Sequence, residues 1–184
     1  MERYMVKVGA VVVLYNPDFE VTKKALSSLV SQVDQICVVD NSPFDHSNVL
    51  SSYESVEYKP LLKNVGIAAA QNIGIRYFID SGYDLVLFSD QDSIAPEKVV
   101  SKLLENYQAL QKEGIKVGAV GTRAINRQSG MPYEDKSKMI ARFFKDTFVN
   151  SSDITEYYSV ISSISLMEKP EQTGTVRRRR LGHF

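Results

Sequence analysis

The chain has 184 residues, a length typical of one domain that can bury a sizeable core. Apolar residues make up 43% and charged residues 24%. The 22 basic and 22 acidic residues balance, so the chain lacks the net positive charge that would indicate a nucleic-acid partner. The longest apolar run, VGAVVVLY, is too short to span a bilayer, and the first residues lack a signal-peptide core, so we expect a cytoplasmic protein without a transmembrane segment.

Short β-branched runs alternate with helical patterns over the first two thirds of the chain. This alternation predicts an α/β fold built on a mostly parallel sheet with helices on both faces. The single cysteine, Cys37, excludes an intramolecular disulfide and is predicted to be a small buried hydrophobe in the second strand. The predicted strands are 6–15, 35–40, 56–62, 84–89 and 116–122, and the predicted helices are 21–31, 47–53, 67–80 and 96–112.

The pattern weakens after Thr122. We expect a loop at 123–139 and strands at 141–150 and 157–165. From Leu166 onward no period survives, which is typical of a disordered tail. Residues 168–184 hold five of the 22 basic residues and only two of the acidic ones. The four arginines at 177–180 are either a solvated tail or a contact with anionic lipid, which would hold the protein at the inner face of the cell membrane.

Polar clusters follow three of the predicted strands, at 15–17 (YNP), 40–42 (DNS) and 89–93 (SDQDS). In an open α/β sheet, ligands bind at the carboxyl ends of the strands, near the point where the strand order reverses. Asn, Asp, Ser and Pro also favour turns, so each cluster alone has that simpler explanation. Three clusters at one edge of the same sheet favour a binding site.

Two carboxylates, Asp90 and Asp92, lie in the third cluster. Residues i and i+2 of a strand project to the same side, so both carboxylates could face one hard cation. Mg²⁺ and Mn²⁺ prefer oxygen ligands, and Mg²⁺ is typically held by one or two carboxylates together with substrate phosphates. The alternative is that Asp92 or Ser93 caps the helix expected to begin near Pro96.

The segment 63–75, KNVGIAAAQNIGI, leads into the third long helix. A helix packed closely against a neighbour explains its small residues at 68–70. It explains less well the other Asn and Gly residues of the segment, which are Asn64, Gly66, Asn72 and Gly74. A loop that enters a helix N-terminus also offers backbone N–H groups to an anion. The segment has neither the GxGxxG pattern nor the GxxxxGK[ST] pattern, which argues against a dehydrogenase and a P-loop kinase.

Four segments in this order, AVVVLYNP, VVDNS, NVGIAAAQNIGI and LVLFSDQDS, resemble the family-2 inverting glycosyltransferases of the GT-A (Rossmann-like) fold. Among these, the chain is most similar to the bacterial dTDP-rhamnosyltransferases that build O-antigen and other surface polysaccharides. The resemblance covers about residues 6–125. It implies transfer of a sugar, with dTDP-L-rhamnose as the expected donor, to a glycan or lipid-linked glycan acceptor.

The resemblance also implies roles for the residues at the strand ends. Tyr15 and Asn16 would line the nucleotide pocket, and Asp40 would accept a hydrogen bond from the pyrimidine base. Asp92 would coordinate Mg²⁺ or Mn²⁺ together with Asp90, which would also approach the ribose. Many relatives carry Arg at the position of Gln71, so no charge contact is expected there. The residues implied in binding the nucleotide sugar are Tyr15, Asn16, Asp40, Asn41, Asn64, Gly66, Asn72 and Asp90.

The catalytic base is not identified. Inverting transfer needs a general base to deprotonate the acceptor hydroxyl, and the family's acidic segment is not found. Glu168 and Glu171 lie near the expected place, in a context that does not match. We therefore expect an incomplete C-terminal half, produced by a frame shift near 163–167. The expected units are a nucleotide-sugar-binding half (1–125), the start of an acceptor-side half (126–165) and a disordered or out-of-family tail (166–184).

Three function classes follow from these observations. The first is an active metal-dependent glycosyltransferase, completed if necessary by a second polypeptide. The second is a donor-binding half that binds the nucleotide sugar with little or no turnover. The third, a nucleotidyltransferase, shares the architecture but would be expected to have a Gly-rich loop after the first strand, where this chain has YNPDFE.

Overall fold

A mixed six-stranded sheet forms the centre of the part of the chain that the computed structural model describes, residues 5–51, 53–122 and 164–168. Its strands are β1 (Val8–Leu14), β2 (Gln35–Asp40), β3 (Val56–Pro60), β4 (Leu85–Asp90), β5 (Ala119–Gly121) and β6 (Ser165–Glu168). Its helices are α1 (Phe19–Val30), α2 (Ser47–Leu50), α3 (Ile67–Asp80) and α4 (Val99–Lys112).

The strand order across the sheet is β3-β2-β1-β4-β6-β5. Strands β1 to β4 are parallel to one another, whereas β6 is antiparallel to both of its neighbours, β4 and β5. The chain places β2 and β3 on one side of β1 and then crosses to the other side to form β4. The strand order therefore reverses between β1 and β4, and the carboxyl ends of such a pair border the usual ligand crevice of an open α/β sheet.

Each face of the sheet has its own hydrophobic core, because successive side chains of a strand point to opposite faces. Val12 belongs to one core together with Leu26 of α1 and Leu103 of α4. Val11 belongs to the other core together with Phe78 of α3. The predicted mostly parallel α/β fold with helices on both faces is therefore confirmed.

Two glycines let α3 approach β1 closely. A Cβ added to Gly74 would lie 2.6 Å from Cγ1 of Val11, and a Cβ added to Gly9 would lie 2.3 Å from the ring of Phe78. Both distances are far inside van der Waals contact. The expectation that close packing explains Gly74 less well is therefore wrong, because α3 packs against β1 at this residue.

Helix α4 begins three residues later than Pro96, where the sequence placed its start. The side chain of Gln32, just after α1, accepts a hydrogen bond from Val100 N and donates one to the Pro96 carbonyl. Lys98 occupies the N-cap position with φ 60° and no capping side-chain hydrogen bond. A tertiary contact from α1 therefore helps to set the first turn of α4, and the sequence around Pro96 does not reveal it.

The disordered tail expected from Leu166 onward is wrong for residues 166–168, which form β6 together with Ser165. Leu166 is fully buried. A strand of four residues is too short to carry a recognisable period, and its position between β4 and β5 makes it part of the sheet. The predicted loop at 123–139, the strand at 141–150, residues 157–163 of the other predicted strand and residues 169–184 lie outside the described residues. No helix in the described ranges is long and apolar enough to cross a membrane.

Candidate functional site

The carboxyl ends of the four parallel strands lie at one edge of the sheet, and a polar loop follows each of them. Several large side chains in these loops are exposed even though they are apolar or aromatic, and they follow β1, β2, β3 and β4 in turn: Tyr15, Phe44, Leu62 and Ile94. Polar groups and accessible aromatic and apolar side chains are therefore combined at this edge.

Gln91 joins the loop after β1 to the end of β4. Its Oε1 atom accepts a hydrogen bond from Tyr15 N at 2.9 Å, and its Nε2 atom donates to the Tyr15 carbonyl at 3.3 Å. The backbone of Tyr15 is thereby fixed, while 48% of the residue stays exposed. This pairing holds the loop after β1 against the third polar cluster, at the point where the strand order reverses.

Ser42 joins the loop after β1 to the loop after β2. Its Oγ atom accepts a hydrogen bond from Asn16 N at 3.0 Å, and the residue is fully buried. Asn16 has a φ of 45°, a left-handed conformation that Asn tolerates better than most residues. The hydrogen bond to Ser42 stabilises this local bend in the chain.

Asn41 joins the loop after β2 to the entrance of α3. Its side chain donates to Asn64 Oδ1 at 2.9 Å and accepts from Val65 N at 2.8 Å. Asn64 Oδ1 also accepts from Gly66 N at 2.9 Å, and Gly66 has a φ of 85° that favours glycine. We call the connected residues Gln91, Tyr15, Asn16, Ser42, Asn41 and Asn64 the edge belt, because their contacts run across the carboxyl ends of β4, β1, β2 and β3.

Asp40 anchors the loop after β2 from inside the protein. Its carboxylate accepts from Ser42 N at 3.0 Å and from the Tyr58 hydroxyl at 2.8 Å, and it contacts His46 Nδ1 at 2.6 Å. Burial raises the pKa of this carboxyl, but the hydrogen bonds from Ser42, His46 and Tyr58 outweigh burial, so its pKa lies below the usual value. The side chain is 0% exposed. The predicted contact with a base stays a prediction, and it requires one of these partners to move.

Asp90 and Asp92 flank Gln91 in the chain, but they do not share one strand. β4 ends at Asp90, and Ser93 N donates to the Asp90 carbonyl at 3.2 Å, which closes a turn. The expectation that alternation along a strand aligns the two carboxylates is therefore wrong. The capping alternative is also wrong, because Ser93 lies five residues before the Lys98 N-cap of α4.

The carboxylates of Asp90 and Asp92 offer the oxygen ligands that a hard divalent cation prefers. Asp90 is half-buried at the edge of the sheet, and Asp92 is exposed beside it. In the described ranges, no group of three or more His, Cys, Asp or Glu side chains is placed to hold an ion. Two carboxylates leave most coordination positions to ligand phosphates and water, which is the usual arrangement for Mg²⁺.

Two other candidates are not members of the edge belt. Asn72 lies within α3, about 7.5 Å along the helix axis from its first residue. Glu168 pairs with Leu85 at the opposite end of β4, roughly 16 Å from Asp90 at the strand rise per residue. Burial and the nearby Glu168 raise the pKa of the Tyr107 hydroxyl, so Glu168 faces α4. Glu168 is thus not placed to act as the base at the carboxyl edge.

Sequence reasoning missed Gln91, Ser42, His46 and Tyr58 as parts of the site. The first two lie within polar clusters that the sequence did single out, so their position was a usable signal. Tyr58 is 18 residues from Asp40 in the chain and reaches it because β3 lies beside β2. No local pattern in the sequence reveals that contact.

Comparisons with known proteins place the chain in a family. Residues 10–165 match the family described as Glycosyl transferase family 2, so the match extends beyond residue 125. Over 95 residues the chain is 39% identical to "dTDP-rhamnosyl transferase RfbF" of Shigella flexneri, which covers 51% of this chain. The chain spans only 32% of the length of that relative.

Solved structures share the fold. Residues 1–349 of S. aureus TarS superpose with a TM-score of 0.58 at 18% identity, covering 89% of this chain and 47% of that one. A 4-diphosphocytidyl-2C-methyl-D-erythritol synthase gives a TM-score of 0.54 at 17% identity, covering 91% of this chain and 77% of that one. At these identities the likeness concerns the fold alone, so neither structure argues for a particular reaction.

Proposed function

Because the chain belongs to glycosyl transferase family 2, we propose that it binds a nucleotide-sugar donor at the carboxyl edge of its sheet and takes part in transfer of the sugar. We propose dTDP-L-rhamnose as the donor, and the 39% identity to a protein named dTDP-rhamnosyl transferase supports this choice. The proposed acceptor is a bacterial surface polysaccharide or O-antigen glycan, free or lipid-linked. The observation that carries the proposal is the edge belt, which contains four of the eight expected donor-binding residues and runs across the point where the strand order reverses.

In this proposal the nucleotide lies against the edge belt. The exposed ring of Tyr15 packs on the base, since its backbone is held by Gln91 while its side chain is accessible. Asn64 and Gly66 border the nucleoside, and Asn41 lies beside Asp40 at the base. Asn72 supports the nucleoside from α3, and Asp90 approaches the ribose. Asp40 acts on the base either directly or by holding the loop that contains Asn41.

The proposed cofactor is Mg²⁺ or Mn²⁺, held by Asp90 and Asp92 together with the diphosphate of the donor. Such an ion supplies Lewis-acid stabilisation of the charge that grows on the departing nucleoside diphosphate. The protein contributes the turn that presents the two carboxylates, and Gln91 holds that turn against the loop after β1.

The acceptor is proposed to bind at the same edge, beside β5 and β6. Thr122 N donates to the Ile164 carbonyl at 3.2 Å, so the two residues that flank the segment 123–163 lie next to each other. The β5 strand is parallel to β4, which puts Thr122 at the carboxyl edge. This position supports residues 126–165 as the beginning of the acceptor side. We propose that the protein works in the cytoplasm, at the inner face of the cell membrane.

Titration with dTDP in the presence and absence of Mn²⁺, followed by a transfer assay, tests the proposal. We expect dTDP to bind more tightly with Mn²⁺, and we expect rhamnose to pass from dTDP-rhamnose to a membrane acceptor fraction. Asp92→Asn should abolish the effect of Mn²⁺, whereas Asp80→Asn, an exposed change at the end of α3, should not.

The outcomes separate the candidate functions. Metal-dependent binding without transfer would identify a donor-binding unit that does not complete the reaction alone. Absence of dTDP binding would contradict both the transferase and the donor-binding unit. An unchanged effect of Mn²⁺ in Asp92→Asn would remove Asp92 from the metal site.

A further inference from the structure

The side chain of Gln91 continues the pairing of β1 with β4 after the backbone of β4 has turned away. The two strands pair in register up to Val13 and Asp90. Beyond that point the β4 backbone closes the turn to Ser93, so it no longer runs alongside β1. The Gln91 amide then takes the place of a peptide group and bonds both the N–H and the carbonyl of Tyr15, at 2.9 Å and 3.3 Å.

The two hydrogen bonds to the Tyr15 backbone require a side-chain amide with the length of Gln. The backbone of Tyr15 presents one donor and one acceptor, so its partner must offer one of each. An ionised Glu offers acceptors only, and Lys offers donors only. Asn carries the amide on a side chain that is one methylene shorter. Gln at position 91 therefore satisfies both groups of Tyr15 at once.

The position of Gln91 gives the contact a consequence for binding. Gln91 lies between Asp90 and Asp92, so its two hydrogen bonds tie the turn that carries both carboxylates to the loop that carries Tyr15 and Asn16. Asn16, in its left-handed conformation, is held from the other side by Ser42. Binding groups must be held to within about 0.5 Å by their supporting contacts to act together. The Gln91 contact is thus a direct side-chain link between these two parts of the site.

We propose that Gln91 is a positioning residue that makes a divalent ion and a nucleoside diphosphate bind cooperatively. The inference rests on the proposed function, since it takes Asp90 and Asp92 as the ion ligands and the loop after β1 as part of the nucleotide pocket. With the contact intact, the ion and the diphosphate meet in one fixed geometry, so each raises the affinity of the protein for the other. Such coupling is reciprocal and typically about 5- to 150-fold.

The test compares the wild-type protein with Gln91→Met, which keeps the side-chain length but removes both hydrogen bonds. Gln108→Met is the matched control, because it makes the same change on the half-buried face of α4. The affinity for dTDP is measured by calorimetry without metal and with saturating Mn²⁺. Hydrogen exchange of the Tyr15 amide, followed by NMR in the ligand-free protein, reports on the contact itself.

In Gln91→Met we expect the Mn²⁺-dependent gain in dTDP affinity to fall by about fivefold or more and the Tyr15 amide to exchange faster. The control should retain the wild-type gain and the wild-type exchange rate. If Gln91→Met does not fold, Gln91→Asn takes its place, because it keeps a polar amide and loses only reach. A merely structural role would lower the unfolding temperature and leave the gain unchanged.

The inference is overturned, while the proposed function stands, if the wild type shows the Mn²⁺-dependent gain in dTDP affinity and the Gln91 variants keep it. It is also overturned if the Tyr15 amide hydrogen exchanges at the same rate in all proteins. If the wild type itself binds no dTDP, or binds it without any effect of Mn²⁺, the proposed metal–nucleotide site fails and the coupling fails with it. The exchange measurement still reports separately whether Gln91 protects the Tyr15 amide.

Discussion

At the scale of single residues, Asp40 is a strand-end carboxylate that is buried and bonded inside the protein rather than exposed to a ligand. The sequence marks it only as an acidic residue at a strand end, which suits a ligand contact. In the structure its carboxylate is buried and receives hydrogen bonds from Ser42 and Tyr58, with His46 beside it. These donors favour the ionised form, which lowers the pKa of the carboxyl. Asp40 therefore holds the loop that carries Asn41, whatever else it contacts.

Replacing Asp40 with Asn should destabilise the protein by about 1–3 kcal/mol at pH 7, because the buried donors lose their charged acceptor. A carboxyl with a lowered folded pKa stabilises the fold above its unfolded pKa of about 4 and loses that contribution as the pH falls further. The difference between wild type and Asp40→Asn should therefore shrink below about pH 4. Urea denaturation from pH 7 to pH 3 measures it. Tyr58→Phe removes one donor and should cost about 1 kcal/mol.

A pH-independent difference between the two proteins would contradict this account, because it would mean that the hydrogen bonds do not favour the ionised carboxylate.

Cys37, in the same strand, behaves as the sequence predicts, since it is fully buried. Burial raises the pKa of its thiol to about 12. A thiol with that pKa is unreactive at neutral pH, in agreement with a packing role.

At the scale of secondary-structure elements, close packing of α3 on β1 positions the entrance of α3 beside the strand ends. Gly9 and Gly74 remove the side chains that would separate the two elements. The ring of Phe78 is fully buried and fills the space above Gly9. The position of α3, which contains Asn72 and has Gly66 as its N-cap, therefore depends on the absence of side chains at Gly9 and Gly74 as well as on apolar contacts.

Gly9→Ala should destabilise the protein by about 1–3 kcal/mol, because the new Cβ would lie 2.3 Å from the ring of Phe78. Gly118→Ala is the matched control: a Cβ there meets no atom within 4 Å, so it should be neutral or stabilising by up to about 1 kcal/mol. Chemical denaturation of both variants provides the comparison. The cost of Gly9→Ala should decrease when Phe78 is replaced by Leu, and an equal cost in both backgrounds would exclude the ring as the cause.

At the scale of the whole molecule, the topology decides where the site is. The reversal of strand order between β1 and β4 brings together two loops that are distant in the chain, and the contacting residues Tyr15 and Gln91 are 76 positions apart. The edge belt then links these loops to the ends of β2 and β3. A ligand seated across this edge would contact segments from four strands at once, so its binding should stabilise the folded state as a unit.

Saturation with dTDP and Mn²⁺ together should raise the unfolding temperature. At a ligand concentration 100 times the Kd the stabilisation is about 2.7 kcal/mol, which corresponds to roughly 5–10 °C for a domain of this size. dTMP, which lacks the second phosphate, should give a smaller shift that does not depend on Mn²⁺. Differential scanning calorimetry measures both ligands, and equal shifts for dTDP with and without Mn²⁺ would contradict a metal–diphosphate site.

Local periodicity and short motifs in a fixed order were enough to predict the α/β class, the order of the elements as far as β5 and the family. How the motifs meet depends on the packing of the strands. Gln91 reaches Tyr15 and Tyr58 reaches Asp40 because strands distant in the chain lie side by side. Likewise, β6 is a strand because the sheet offers it two partners, and α4 starts where Gln32 meets it. Contacts of this kind depend on which strands become neighbours, and no local pattern encodes that choice.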